Sequence, residues 1–232
     1  MRDVEYKVGD LVMRGRLATP DGDGPFPAVL IAPEAGGLDE FQASRAETFS
    51  QLGYVAFAFD YYGSGRVLRD PDEVGRQLEM LGSDPDEIRR RAQGALDVVL
   101  VEPSVDVSKV AAVGYCFGET VVMELGRTGA DLKAIVGFHP GLNILRPGDS
   151  RHIQGKVLMC VGADDPIVPL ASRVAFEEEM RAAAIDWQMI VYGGAKHSFS
   201  NPDPSGAPGI EFDPLASNRS WRAMLDLLAE VF

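Results

Sequence analysis

Cys116 stands midway between two glycines, in the segment Gly114-Tyr115-Cys116-Phe117-Gly118. The pattern is that of a nucleophile elbow, G-x-S-x-G, with sulfur in place of oxygen. At the apex of a strand-turn-helix a thiol is held exposed beyond the C-terminal edge of a sheet. The helix that follows aims its first N–H groups and partial positive charge at the sulfur, which favours thiolate. The N–H of Phe117 would also be placed to stabilise an oxyanion. A packed cysteine in a Gly-rich strand exit would produce the same five letters. The chemistry therefore depends on what else the chain supplies.

An acid and a base follow in order. The segment 161–169, VGADDPIVP, puts Asp164 and Asp165 directly after an apolar run. The segment 191–202, VYGGAKHSFSNP, carries His197 in a Gly-rich turn after the next run. Nucleophile, then acid, then histidine is one of the chain orders in which a hydrolytic triad is found. The other two histidines fit less well. His152 falls in an irregular segment and is expected to be solvated, and His139 after AIVGF is expected to be structural. On these residues alone either aspartate can orient the histidine.

The elements that must position these groups alternate along the chain. Residues 4–8 and 11–18 flank Gly9-Asp10, a two-residue hairpin signal. Continuous apolar runs at 26–33, 109–115, 133–138 and 156–162 read as strands covered on both faces, as does 54–62. Helices are expected at about 39–52, with Phe41, Phe49 and Leu52 on one side, and from Asp84-Pro85 onward, with Ile88, Ala92, Ala95 and Val99 at helical spacing. Two more are expected at about 170–184 and from Asp213-Pro214, the latter with Trp221, Leu225 and Leu228 inward. Residues 66–83 read as a polar segment and 139–155 as a loop. With no repeat or linker in view, residues 1–232 are expected to form a single α/β domain with a mostly parallel sheet covered by helices on both faces.

Composition narrows the partners. Acidic residues outnumber basic ones 35 to 22, for a formal charge of −13. Nucleic acid and anionic membranes select clustered Lys and Arg, so neither is expected. The N-terminal residues are charged where a signal peptide needs an apolar core, and no run approaches the roughly 20 apolar residues of a membrane span. A cytoplasmic location is the expectation. Cys116 and Cys160 do not read as a disulfide framework, and Cys160 in KVLMCVG reads as a buried core thiol. No Cys or His spacing suggests a zinc site, and the GSGR after the 54–62 strand lacks the third glycine of a dinucleotide fingerprint. No metal and no cofactor are expected.

Over essentially its whole length the chain resembles the dienelactone hydrolases, within the α/β-hydrolase fold. The resemblance runs from PAVLIAPEAGG through FDYYGSGR, GYCFGE and VGADDPIVP to GGAKHSFSNP. It implies a Cys-His-Asp triad of Cys116, His197 and Asp165, the aspartate that stands directly before the PIVP turn. It implies further that Glu34 lies beside the nucleophile, hydrogen-bonds the thiol and helps control its ionisation. The N–H of Ala35 would be the second oxyanion donor, beside that of Phe117.

Two positions depart from the family pattern. Asn201 stands where the family has an arginine that helps bind a substrate carboxylate, and Glu119 replaces the usual second glycine after the elbow. Arg66, Asn201 and Tyr61 are candidates for contact with substrate. The implied activity is hydrolysis of a small ester or lactone by a monomer or weak homodimer. A small-acyl carboxylesterase or thioesterase would use the same triad. A non-catalytic redox-sensing thiol is the reading from another class, and no second cysteine has the spacing to resolve it.

Overall fold

The computed structural model describes all residues 1–232. Its centre is one eight-stranded sheet in the order β1-β2-β4-β3-β5-β6-β7-β8. The strands are β1 (Arg2–Val8), β2 (Leu11–Ala18), β3 (Phe26–Ala32), β4 (Val55–Ala58), β5 (Val105–Tyr115), β6 (Ala134–Phe138), β7 (Lys156–Gly162) and β8 (Trp187–Tyr192). β1 and β2 form the expected hairpin and join β4 antiparallel; every other pairing is parallel. The architecture is the α/β-hydrolase fold class.

Strand residues alternate between two cores, as the two-residue period of a strand demands. Ala28, Leu30 and Ala32 of β3 and Val110 and Ala112 of β5 face one core. Val29, Ile31, Ala111, Val113 and Tyr115 face the other. The first core is covered by α2 (Pro71–Ser83), α3 (Pro85–Leu100), α4 (Phe117–Arg127) and α5 (Leu170–Ala182). The second is covered by α1 (Glu40–Gln51) and α6 (Pro214–Val231). Both faces of the central strands are buried, which is why β3, β4, β6, β7 and the second half of β5 read as unbroken apolar runs, whereas the edge strands β1 and β8 are partly exposed.

Helix starts are strongly signalled. Asp70, Asp84 and Asp213 each precede a proline in the first turn, and each carboxylate accepts a first-turn backbone N–H. Such a cap contributes about 1 kcal/mol, and proline lacks only an N–H that would have no partner there. Asp39 opens α1 with a capping box completed by Gln42.

The structure corrects the sequence reading in four places. β4 ends at Ala58, so residues 59–62 of the expected 54–62 strand lie outside the sheet. Residues 71–83 form α2 rather than an unstructured polar segment. Leu52 is 48% exposed at the end of α1, away from the Phe49 side. The loop after β6 contains a short 3-10 turn over Asp149–His152. No helix is long and apolar enough to cross a membrane.

Candidate active site

The turn between β5 and α4 consists of Cys116 alone, at φ 55° and ψ −120°. A non-glycine residue in this left-handed region costs about 1–3 kcal/mol and persists only when its surroundings hold it. They do: Cys116 N–H donates to Phe138 O at 3.0 Å, and its carbonyl accepts from Glu119 N–H at 3.1 Å. The flanking glycines answer to backbone contacts. A Cβ on Gly114 would lie 2.3 Å from Gly118 and Glu119 backbone atoms, and one on Gly118 2.4 Å from the Ala32 and Pro33 oxygens. Nothing there can give way.

Glu119 is fully buried, with its carboxylate accepting from the Leu142 N–H at 3.2 Å. Burial pushes its pKa up to about 7 despite opposing help from Arg127 and these hydrogen bonds. The close approach of helix to strand falls at Gly118, so a side chain at 119 is accommodated.

Past β7 and β8 the chain delivers the acid and the base to the same end of the sheet. His197 Nδ1 lies 2.7 Å from Asp165 Oδ2, and both side chains are buried. Asp164 is exposed. The other Asp165 oxygen accepts from the Ile167 N–H at 2.8 Å. One Arg173 nitrogen from α5 donates to the Gly162 and Ala163 carbonyls at 2.9 Å each, closing the loop that carries the acid. The histidine backbone is fixed too, by His197 N–H to Gly209 O at 3.1 Å and Glu211 N–H to His197 O at 3.0 Å.

His197 Nε2 is buried and has no partner at hydrogen-bonding geometry. Burial by itself would lower the imidazole pKa. The charge of the nearby Cys116 sulfur, with Asp165 behind, overcomes it and drives the value up to about 10. An imidazole between a carboxylate and a thiol is therefore biased toward holding its proton.

Glu34 leaves β3 at the same end. Its two oxygens accept from Ser198 Oγ at 2.8 Å and Asn201 Nδ2 at 2.6 Å. Burial raises its pKa more than these two bonds and His197 lower it. In the structure the carboxylate is thus engaged with the loop after His197, rather than hydrogen-bonded to the thiol as the sequence reading expected. Beside it, the Ala35 N–H donates to no protein acceptor. Phe117, as the first residue of α4, has no acceptor within its own helix. The Ala35 N–H after β3 and the Phe117 N–H at the start of α4 are thus two amides without a backbone acceptor.

The profile described as the dienelactone hydrolase family matches residues 13–232. The chain belongs to the dienelactone hydrolase family. Among solved structures, a dienelactone hydrolase-like promiscuous phosphotriesterase from metagenomic libraries superposes with a TM-score of 0.96 at 41% identity, over 100% of this chain and 98% of its own. A protein of Aquifex aeolicus, provisionally named a carboxymethylenebutenolidase, is 27% identical over 94% of this chain and 93% of its own length. An esterase of Thermogutta terrifontis shares the fold at a TM-score of 0.69 and 18% identity, over 99% of this chain and 94% of its own. The protein is a hydrolase of the dienelactone hydrolase type.

Three candidate substrate contacts have other employment in this family member. Asn201 holds Glu34 through Nδ2 and accepts from the Asp203 N–H through Oδ1 at 3.0 Å. Arg66, 45% exposed, pairs with Glu73 of α2. Tyr61 is buried and donates its hydroxyl to the Glu34 backbone oxygen at 2.7 Å. Sequence reading missed Ser198, Tyr62 and Arg173. Ser198 had one available signal, its place directly after His197; the other two act on backbone carbonyls, which no side-chain pattern reveals. No group of three or more His, Cys, Asp or Glu side chains is placed to hold a metal ion.

Proposed function

We propose that this hydrolase cleaves small carboxylic esters and lactones through a covalent acyl-enzyme on Cys116. The thiolate sulfur attacks the carbonyl carbon, a C–S bond forms, and the carbonyl electron pair moves onto oxygen. The Phe117 and Ala35 amides receive that oxyanion. Collapse breaks the C–O bond, and the leaving alkoxide takes the proton from His197 Nε2. His197 then removes a proton from water, which attacks the thioester and releases the acid and the thiolate. Asp165 holds the imidazole in one tautomer throughout.

The observation that carries this reading is the 2.7 Å contact of His197 Nδ1 with Asp165, which leaves Nε2 unpartnered beside the sulfur. In a ring bonded through Nδ1, Nε2 is the nitrogen free to exchange a proton with the nucleophile. Glu34, one residue from the Ala35 amide, is read as a second acid whose release from Ser198 and Asn201 lets it reach the thiol. The test is intact-mass analysis during turnover of a slow p-nitrophenyl ester. A single acyl group on the Cys116 peptide supports the reading; an unmodified Cys116 during a pre-steady-state burst overturns it.

A second substrate class has one specific support. The relative with 41% identity over the full chain is named a promiscuous phosphotriesterase. A thiol flanked by two amide donors suits attack at a phosphoryl centre as well as at an acyl one. Paraoxon turnover that disappears together with ester turnover on Cys116 alkylation would assign both to one site.

A further inference from the structure

The turn that follows β3 is held in an unusual way. Glu34 O accepts from the Tyr61 hydroxyl at 2.7 Å and from Gly37 N–H at 2.9 Å. Ala35 O accepts from the Tyr62 hydroxyl at 2.8 Å. Gly36 O accepts from Leu68 N–H at 2.7 Å. Every carbonyl from 34 to 36 is bonded, while the Ala35 N–H is left without an acceptor.

In a trans peptide the C=O and the N–H of one unit point in opposite directions. The Glu34 carbonyl and the Ala35 N–H belong to the same unit. A donor that fixes the direction of Glu34 O therefore fixes the opposite direction of Ala35 N–H. Tyr61 is such a donor, and it is buried, in edge contact with Tyr62 at 4.6 Å and near the Phe117 ring at 5.9 Å. Burial raises the Tyr61 pKa well above its ordinary value, so the hydroxyl stays a donor at any working pH.

The tyrosines are themselves locked. Asp60 is buried, and its carboxylate accepts the N–H groups of Tyr62, Gly63 and Gly65 at 2.7, 2.9 and 2.8 Å. Arg91 of α3 donates to Tyr61 O at 2.7 Å. On its other side, the end of β3 is pressed by Gly118 against the start of α4. The segment is clamped between the elbow and two phenols.

We infer that Tyr61 is a positioning residue for the oxyanion site: its hydroxyl, through Glu34 O, aims the Ala35 N–H at the atom on which negative charge develops. Tyr62 does the same for the next peptide unit and so acts one step further from the oxyanion. The inference rests on the Cys116 acyl-enzyme reading and adds to it the group that orients one of its two donors. Both hydroxyls are hydrogen-bonded to backbone oxygens of residues 33–35 rather than to the Cys116 sulfur.

The experiment compares Tyr61→Phe and Tyr62→Phe with wild type in two reactions of the same thiol. Hydrolysis of a p-nitrophenyl ester passes through an oxyanion; alkylation of Cys116 by iodoacetamide is a direct displacement at carbon and does not. Removing an oxyanion donor outright costs about 10²–10³ in kcat. Loosening one, with Gly37 still bonded to the same carbonyl, is expected to lower kcat about tenfold in Tyr61→Phe, with KM and the alkylation rate within about threefold of wild type. Tyr62→Phe should lose less. Unchanged kcat in Tyr61→Phe overturns the inference, and so does a parallel fall in alkylation, which would mean a disordered elbow. Carboxamidomethylated wild type serves as the separate control. If it still hydrolyses ester, the thiol reading itself fails, whatever Tyr61→Phe does.

Discussion

His197 Nδ1 is 2.7 Å from Asp165 Oδ2, whereas Asp164, the preceding residue, is exposed to solvent. Two adjacent carboxylates in the turn after β7 thus have separate fates: Asp165 is tied to His197 and to the Ile167 N–H, and Asp164 to neither. Asp165→Asn is expected to lower kcat by up to about 10⁴-fold, the scale set by the orienting acid of the serine triad. Asp164→Asn should change it by less than about threefold. Steady-state kinetics on one ester decide; reversed effects would transfer the orienting role to Asp164.

The two thiols should differ in reactivity. Cys160 is fully buried in β7, within 3.7 Å of the Tyr192 hydroxyl, and burial pushes its pKa up to about 12. Cys116 is partly exposed at the elbow. In native protein iodoacetamide should label Cys116 at least tenfold faster, as read by peptide mass spectrometry, since only thiolate is nucleophilic. Faster labelling of Cys160 would contradict the placement of both.

Replacing sulfur by oxygen should test the base. Cys116→Ser is expected to fold and bind ligand but to lose at least about tenfold in kcat/KM, or about 1.4 kcal/mol of transition-state stabilisation. A hydroxyl ionises far less readily than a thiol of pKa near 8.5. Turnover equal to wild type would make the elbow an ordinary serine-type site.

Glu119 makes a stability prediction with a definite sign. Its pKa rises from the ordinary 4.5 to about 7, mainly through burial, so the folded state holds the proton more tightly than the unfolded one. Between those values the folded state carries more protons, and stability falls as pH rises, by on the order of 3 kcal/mol across the window. Glu119→Gln keeps an acceptor for Leu142 N–H and removes that slope. Urea midpoints at pH 5 and pH 8 should therefore lie closer together in the variant, where the slopes from Glu34 and His197 remain, and the variant should be the more stable form at pH 8. An identical pH dependence in both proteins would refute the assignment.

The sequence by itself determined the sheet, the elbow and the order of the chemical groups. Those features leave marks in short windows of the chain. Gly114 is required by the elbow it precedes and Gly118 by the end of β3 packed against it, the Asp-Pro pairs cap the helices they open, and continuous apolar runs follow from strands covered on both faces. Helix α2 was legible in principle, since Val74, Leu78 and Leu81 recur at helical spacing, but its charged surface concealed a narrow apolar stripe.

The resemblance already pointed to Asp165 as the partner of His197; only the tertiary structure decided where the Glu34 carboxylate goes and which atom the Tyr61 hydroxyl bonds. Ser198 and Glu34 are 164 residues apart in the chain yet 2.8 Å apart in space, and Tyr61 reaches across 27 residues to a backbone oxygen. A hydrogen bond depends on direction as well as residue type. Direction across such separations is fixed where the loops after β3, β4 and β8 meet at one end of the sheet, and a one-dimensional pattern carries no record of it.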